Sequence, residues 1–245
     1  VVHGFISIND GVLVQINKTI SPENINQDNT IQNVKAYLLI GKDSIVNLLK
    51  IGKDFFASPS NFYARTGVAY QIKVEASNFE SVISNEQYIP ATVSIDSLIL
   101  DTTTFCDGMI YFRDPVETVN YYTKNYLIFY KGDTLQNFFT AFNEYFSPYE
   151  LYEDVEFNGK VKYLEQQVNT PEWEDSLILE FRLYNISPDL ALFFKSIQDY
   201  EFTRDDVLYD QQSPIYTNIK NGYGIFASYS YDMIKTPYIN DVIPW

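Results

Sequence analysis

The sequence predicts a mostly β protein: a β-sandwich over residues 1–92, then a second β-rich domain over 93–245 carrying two inserted helices. Three observations lead there. Aromatic residues make up 17% of the 245, with 21 Tyr and 18 Phe against only 2 Met, and flat, stiff rings favour the pleated surface of a strand. Apolar and polar residues alternate with period two through most of the first third, as in a sheet with one face to solvent. Turn signals recur at the short spacing that a sandwich of short strands requires.

The first pair of strands flanks Asn9-Asp10-Gly11 in "FISINDGVLVQI", where Asp-Gly tolerates the positive φ of a tight hairpin. A third strand follows in "IQNVKAYLLIG", with Val34, Tyr37 and Leu39 among its apolar positions. "GVAYQIKVEASNF" alternates most strongly: Val68, Tyr70, Ile72 and Val74 form one face, and Ala69, Gln71, Lys73 and Glu75 the other. A domain boundary is expected just after Ile89-Pro90, before the strand "ATVSIDSLILD".

The second domain adds the strands "NYLIFYKG", "KVKYLEQQV" and "DSLILEFRLYNI". Between them the period changes. Leu135, Phe138, Phe139, Phe142 and Phe146 fall on one helical face and predict a helix near 134–146, with Asp133 or Thr134 at its start. A second helix is predicted near 188–200 in "SPDLALFFKSIQDYEF". Ser187 is its N-cap, and Pro188 stands at the first helical position, where a missing N–H costs nothing. Asp189 places a negative charge at the positive end of the dipole.

Composition narrows the function. A net charge of −15, from 32 acidic and 17 basic residues, is opposite to what nucleic acid demands. It also disfavours docking of the folded surface on anionic lipid. With a single Cys, Cys106, the chain forms no internal disulfide and no Cys-rich metal site. His3, the only His, lies in a strand beside Gly4 and reads as an ordinary strand residue rather than as half of a catalytic pair. No apolar stretch has transmembrane length.

Gly222 and Gly224 invite comparison with a nucleotide loop, but Ala227 stands where the third glycine belongs and "GIFASYSY" continues as a strand rather than a helix. Asn221-Gly222 is therefore read as the turn of a hairpin, with Gly224 allowing a bulge or close packing. The acidic runs Glu153–Glu156, Glu172–Asp175 and Asp205-Asp206 lack the spacing of a calcium loop, and they read as structural or surface residues. No catalytic or metal-binding residue and no cofactor is assigned. The candidate ligand-binding residues are Tyr121, Tyr122 and Tyr126, with Tyr130 in the same run, and Trp173 amid acids. Tyrosine supplies contact area and a hydroxyl at little entropic cost. The same rings also suit a packed sheet face.

Several segments follow one another in a recognisable order: "VVHGFI", "TGVAYQIKVEASNFESVISNEQYIPATVSIDS", "YNISPDLALFFKSIQDYEF" and the closing "SPIYTNIKNGYGIFASYS". Together they resemble a family of uncharacterised Bacteroidota outer-membrane lipoproteins, encoded beside SusC/SusD-type nutrient importers. The closing Asn-Ile-x-Asn-Gly-x-Gly-Ile-Phe motif, residues 218–226 here, is the most specific part. The opening strands are shared with Ig-like and carboxypeptidase-regulatory-like sandwiches. The resemblance implies a lipid-anchored, cell-surface protein that partners a SusC/SusD-type transporter in taking up peptides or glycans, without catalysis. A freestanding carbohydrate- or peptide-binding module is the alternative, and a hydrolase using paired carboxylates a more distant one. Triplets beginning at Asp43, Asp96, Asp101, Asp133 and Asp175 also resemble the O-glycosylation sequon of proteins exported by the same bacteria.

Overall fold

The computed structural model of the chain describes residues 1–19, 28–101, 106–116, 118–130, 133–134, 150–168, 176–204 and 212–239. Among these the protein is mostly β, with one α-helix. The early strands are β1 (Val2–Ser7), β2 (Gly11–Ile16), β3 (Lys35–Ile40), β4 (Ser44–Asn47), β5 (Leu49–Lys50), β6 (Phe55–Ala57), β7 (Ala69–Glu75), β8 (Val82–Ser84) and β9 (Gln87–Tyr88). The middle group is β10 (Ile95–Asp101), β11 (Cys106–Arg113), β12 (Tyr121–Tyr130), β13 (Asp133–Thr134), β14 (Tyr152–Glu153), β15 (Val161–Val168) and β16 (Ser176–Ile186). Helix α1 (Pro188–Arg204) precedes β17 (Ile219–Lys220) and β18 (Gly224–Ile239).

The chain divides into two compact units. One is Val1–Ala91 with Ile186–Ser230; the other is Thr92–Asn185 with Tyr231–Trp245. The sequence reading places all of 93–245 in one domain. In the structure α1, β17 and the first residues of β18 instead belong with the N-terminal strands. The helix expected near 134–146 lies outside the described residues apart from its first position, Thr134, which is in β13.

The first unit is a sandwich. In one sheet β1 lies between β2, antiparallel to it, and β18, parallel to it, and β6 and β5 continue beyond β2. The other sheet runs β17-β8-β7-β3-β4, with β9 also on β7. Their inner faces meet in one core. Val2, Ile6, Val12, Val14 and Ile16 come from the first sheet, and Ala36, Leu38, Tyr70, Ile72 and Val74 from the second. The expected alternation holds in β7, where Tyr70, Ile72 and Val74 are buried. In β3 Ala36 and Leu38 point inward, in step with Val34, which packs against the same core. Tyr37 lies on the other face, its hydroxyl 3.5 Å from Glu75 Oε2. A strand side-chain period of two lets only one of the two sets be inside.

The β1–β2 turn contains three residues, because Ser7 pairs with Gly11. Gly11 takes φ +74°, and Ser7 Oγ accepts the Asp10 N–H at 2.8 Å. At Asn221-Gly222 the expected hairpin is absent. β17 pairs with β8 in one sheet and β18 with β1 in the other, so the turn carries the chain across the sandwich. Asn-Gly supplies the same backbone freedom to either connection, and the burial of Ile219 and Phe226 in the shared core decides between them.

Helix α1 starts as read. The Ser187 carbonyl accepts the Ala191 N–H at 3.1 Å, as an N-cap residue should. Its hydroxyl is used elsewhere, accepting the Ser228 N–H at 3.2 Å. No helix among the described residues is long and apolar enough to cross a membrane.

In the second unit β10-β11-β15 form an antiparallel sheet. β13-β12-β16 and the later part of β18 form another, with β14 on β12. Ile110, Phe112 and Leu164 meet Tyr122, Leu179, Phe181 and Leu183 in the core between them. Gly108 is required there, because a Cβ at that position would overlap the Phe181 ring.

Candidate functional site

Taken one by one, the tyrosines of β12 are not an open contact surface. Tyr122 is 0% exposed and packs against Phe112 and Phe157, with ring centroids at 4.8 and 6.0 Å. Its hydroxyl donates to Asp114 Oδ1 at 2.5 Å. Burial, then that hydrogen bond, raises its pKa well above the ordinary tyrosine value. Tyr126 is buried in the same core. Tyr121, its strand neighbour on the opposite face, is half-buried. A strand largely covered on both faces gives the Tyr122 and Tyr126 rings to packing. Trp173, Glu172–Asp175 and Asp205-Asp206 lie outside the described residues, as does the side chain of Tyr130.

The acids that converge in the second unit are structural. Asp114 Oδ2 accepts the Gly159 N–H at 2.9 Å, and Asp154 Oδ2 accepts the Asn120 N–H at 2.7 Å. Both are 1% exposed. Asp154 comes from the acidic run Glu153–Glu156, and of the structural and surface roles expected there it takes the structural one. His3 sits in β1 with its ring 6.2 Å from that of Phe193, and burial lowers its pKa. Cys106 opens β11. Among the described residues no three or more His, Cys, Asp or Glu gather in a way that suits a metal ion.

The closing motif has a different organisation. Asn218 binds the backbone of Phe226 twice: its Nδ2 donates to the carbonyl at 2.8 Å, and its Oδ1 accepts the N–H at 2.9 Å. The same amide donates to Asp189 Oδ2 at 2.6 Å. Asp189 also accepts from Gln87 Nε2 at 2.7 Å and from the Tyr216 hydroxyl at 3.0 Å. Burial, then the hydrogen bond to Asp189, pushes the Tyr216 pKa up to about 12. The dipole argument for Asp189 thus captures the lesser part of its role. It ties the start of α1 to the motif and to β9. The signal in the sequence was Asn218, the first residue of the motif, whose partner no local pattern reveals.

Beyond this hub the motif turns outward. Asn221 takes φ +61°, and its Nδ2 lies 3.4 Å from the Ser81 carbonyl. Gly222 and Tyr223 then line a groove of about 250 Å³ at one end of the sandwich, where β2 and β7 finish. Val2, Ile16, Val74 and Val82 give it an aliphatic floor, and Lys18, Glu80 and Asn221 are its polar wall. Two exposed aromatics border it: Tyr223 at 68% and Phe79 at 53%. Phe79 is presented by a turn in which Asn78 has φ +67° and the Phe79 N–H donates to the Ala76 carbonyl at 3.3 Å. Exposed rings over an apolar floor with a few polar groups are what a small-ligand site requires. Sequence reasoning sought such rings in β12 and missed these, because exposure on a turn is a tertiary property.

A comparison with curated proteins finds no match. The family model named Domain of unknown function (DUF4249) covers residues 1–235 of the 245, both units and the closing motif included, and the chain belongs to that family.

Proposed function

We propose that this protein is a lipid-anchored, surface-exposed outer-membrane protein that serves as a non-catalytic accessory subunit of a SusC/SusD-type nutrient importer. What supports the reading is the order of segments that resembles importer-associated lipoproteins, and the family match, itself of unknown function, covers nearly the entire chain. That match runs through the same segments. In this role the protein docks on the transporter and captures or presents a peptide or glycan. Aromatic contact and hydrogen bonds supply the affinity, and the groove beside Tyr223 is the surface suited to it. Among the described residues the converging carboxylates, Asp114 and Asp154, are sealed and occupied by structural donors, which favours binding over hydrolysis.

The test is purification of the tagged full-length protein from its native membrane in mild detergent, with identification of what accompanies it. A stoichiometric transporter pair is the expected result. Recovery without that pair in several detergents overturns the accessory role and favours a freestanding binding module, a reading that the self-contained groove also supports.

A further inference from the structure

We propose that the groove at the end of the first unit binds a short zwitterionic peptide, with Lys18 facing its carboxylate and Glu80 its ammonium group. The inference deepens the accessory-subunit reading only in naming the cargo class; the binding itself does not depend on a transporter.

Charge is the first argument. Lys18 and Glu80 line the same small groove, yet among the described residues neither has an ion-pair or hydrogen-bond partner for its charged group. Some other charged groups of this unit are paired, as in Lys73 with Glu75 at 2.7 Å and Lys53 with Asp28 at 2.9 Å. Two unlike, unpaired charges around one apolar floor complement a ligand that carries both signs. A neutral sugar offers each a hydrogen bond but no opposite charge. A lone anion meets a chain of net charge −15, against which Lys18 is a single local offset.

The floor is the second argument. Val2, Ile16, Val74 and Val82 present methyl groups, which suit an aliphatic side chain and leave sugar hydroxyls unpaired at a cost. Tyr223 and Phe79 cover the ligand from the rim. The volume, about 250 Å³, is just below the usual range of roughly 300–1,000 Å³ for small-molecule sites. It restricts the enclosed part to a few residues.

Calorimetry on the isolated full-length chain tests this with Ala-Leu and Ala-Leu-Ala, their N-acetyl and C-amide forms, and maltotriose. The free peptides are expected to bind and maltotriose not to bind. Lys18→Gln and Glu80→Gln should each weaken binding roughly three- to tenfold, the scale of a partly exposed ion pair. Amidation should cost nothing further in Lys18→Gln, and acetylation nothing further in Glu80→Gln. Both side chains line the groove, and circular dichroism is the check that the variants fold. Absence of peptide binding, equal affinity for blocked and free peptides, or preference for maltotriose overturns the proposal. Each of these leaves the co-purification result untouched, and failure of co-purification leaves the calorimetry untouched.

Discussion

Gly224 illustrates how a single residue is dictated by its surroundings. Its φ is +116°, and a Cβ there would overlap the Val2 carbonyl oxygen. The close approach arises because β18 begins parallel to β1, with Val2 opposite Gly224 and the Val2 N–H donating to the Tyr223 carbonyl at 2.8 Å. Gly224→Ala combines a strained backbone with a clash against main chain that has little room to retreat. It is expected to lower unfolding free energy by about 3 kcal/mol or more, measured by urea denaturation; a loss below about 1 kcal/mol would refute this account. From sequence, Gly224 was legible as a position needing glycine, though only as a bulge or packing site. Ser187 and Pro188 were legible as the helix start, because helix starts depend on neighbours in the chain, but the bond from Ser228 to the Ser187 hydroxyl was not. Tyr122 was not, since a ring in a strand looks the same whether its hydroxyl meets water or Asp114.

At the level of elements, β16 shows what one strand does with two buried faces. Leu177, Leu179, Phe181 and Leu183 point into the core of the second unit. The alternate positions include Glu180 and Arg182, and both are buried. Glu180 Oε1 accepts from the Arg182 guanidinium, and its Oε2 lies 2.9 Å from Lys235 Nζ on β18. Arg182 in turn lies over the Tyr231 ring, 4.7 Å from its centroid. Removing one partner of such a buried group leaves a charge in low dielectric. Glu180→Ala should therefore destabilise by about 3–5 kcal/mol. Lys235 is half-exposed, at 51%, so Lys235→Ala should cost less than about 1 kcal/mol. Denaturant titration of the two variants checks the contrast, and equal losses would contradict it. The period-two pattern announced β16 but gave no warning that its polar residues would be inside.

For the molecule as a whole, the decisive feature is that the first unit is discontinuous. Its core draws on Ile219 and Phe226 as well as on β1–β7. Asp189 of α1 holds Gln87 from the N-terminal segment. A fragment of residues 1–91 therefore lacks the parallel partner of β1, one of the two partners of β8 and the whole of α1. Expressed alone, it is expected to show no cooperative unfolding transition and poor amide dispersion in NMR spectra. Adding a peptide covering 186–230 is the matching rescue. A well-folded 1–91 fragment would contradict this division of the chain.

Local physics settled much of this protein in advance. Alternation placed the strands, capping residues placed the start of α1, and the order of segments pointed to the family. These signals act between residues near in sequence, so they survive without a structure. The tertiary structure decided the rest. It made Asn221-Gly222 a crossing between sheets, brought 186–230 to the N-terminal strands, buried Tyr122 and left Tyr223 and Phe79 at a groove. Each of these depends on which distant strand edge or apolar face is available to pair. A backbone turn and an alternating strand have the same local energy for either partner, and only burial in a shared core separates them.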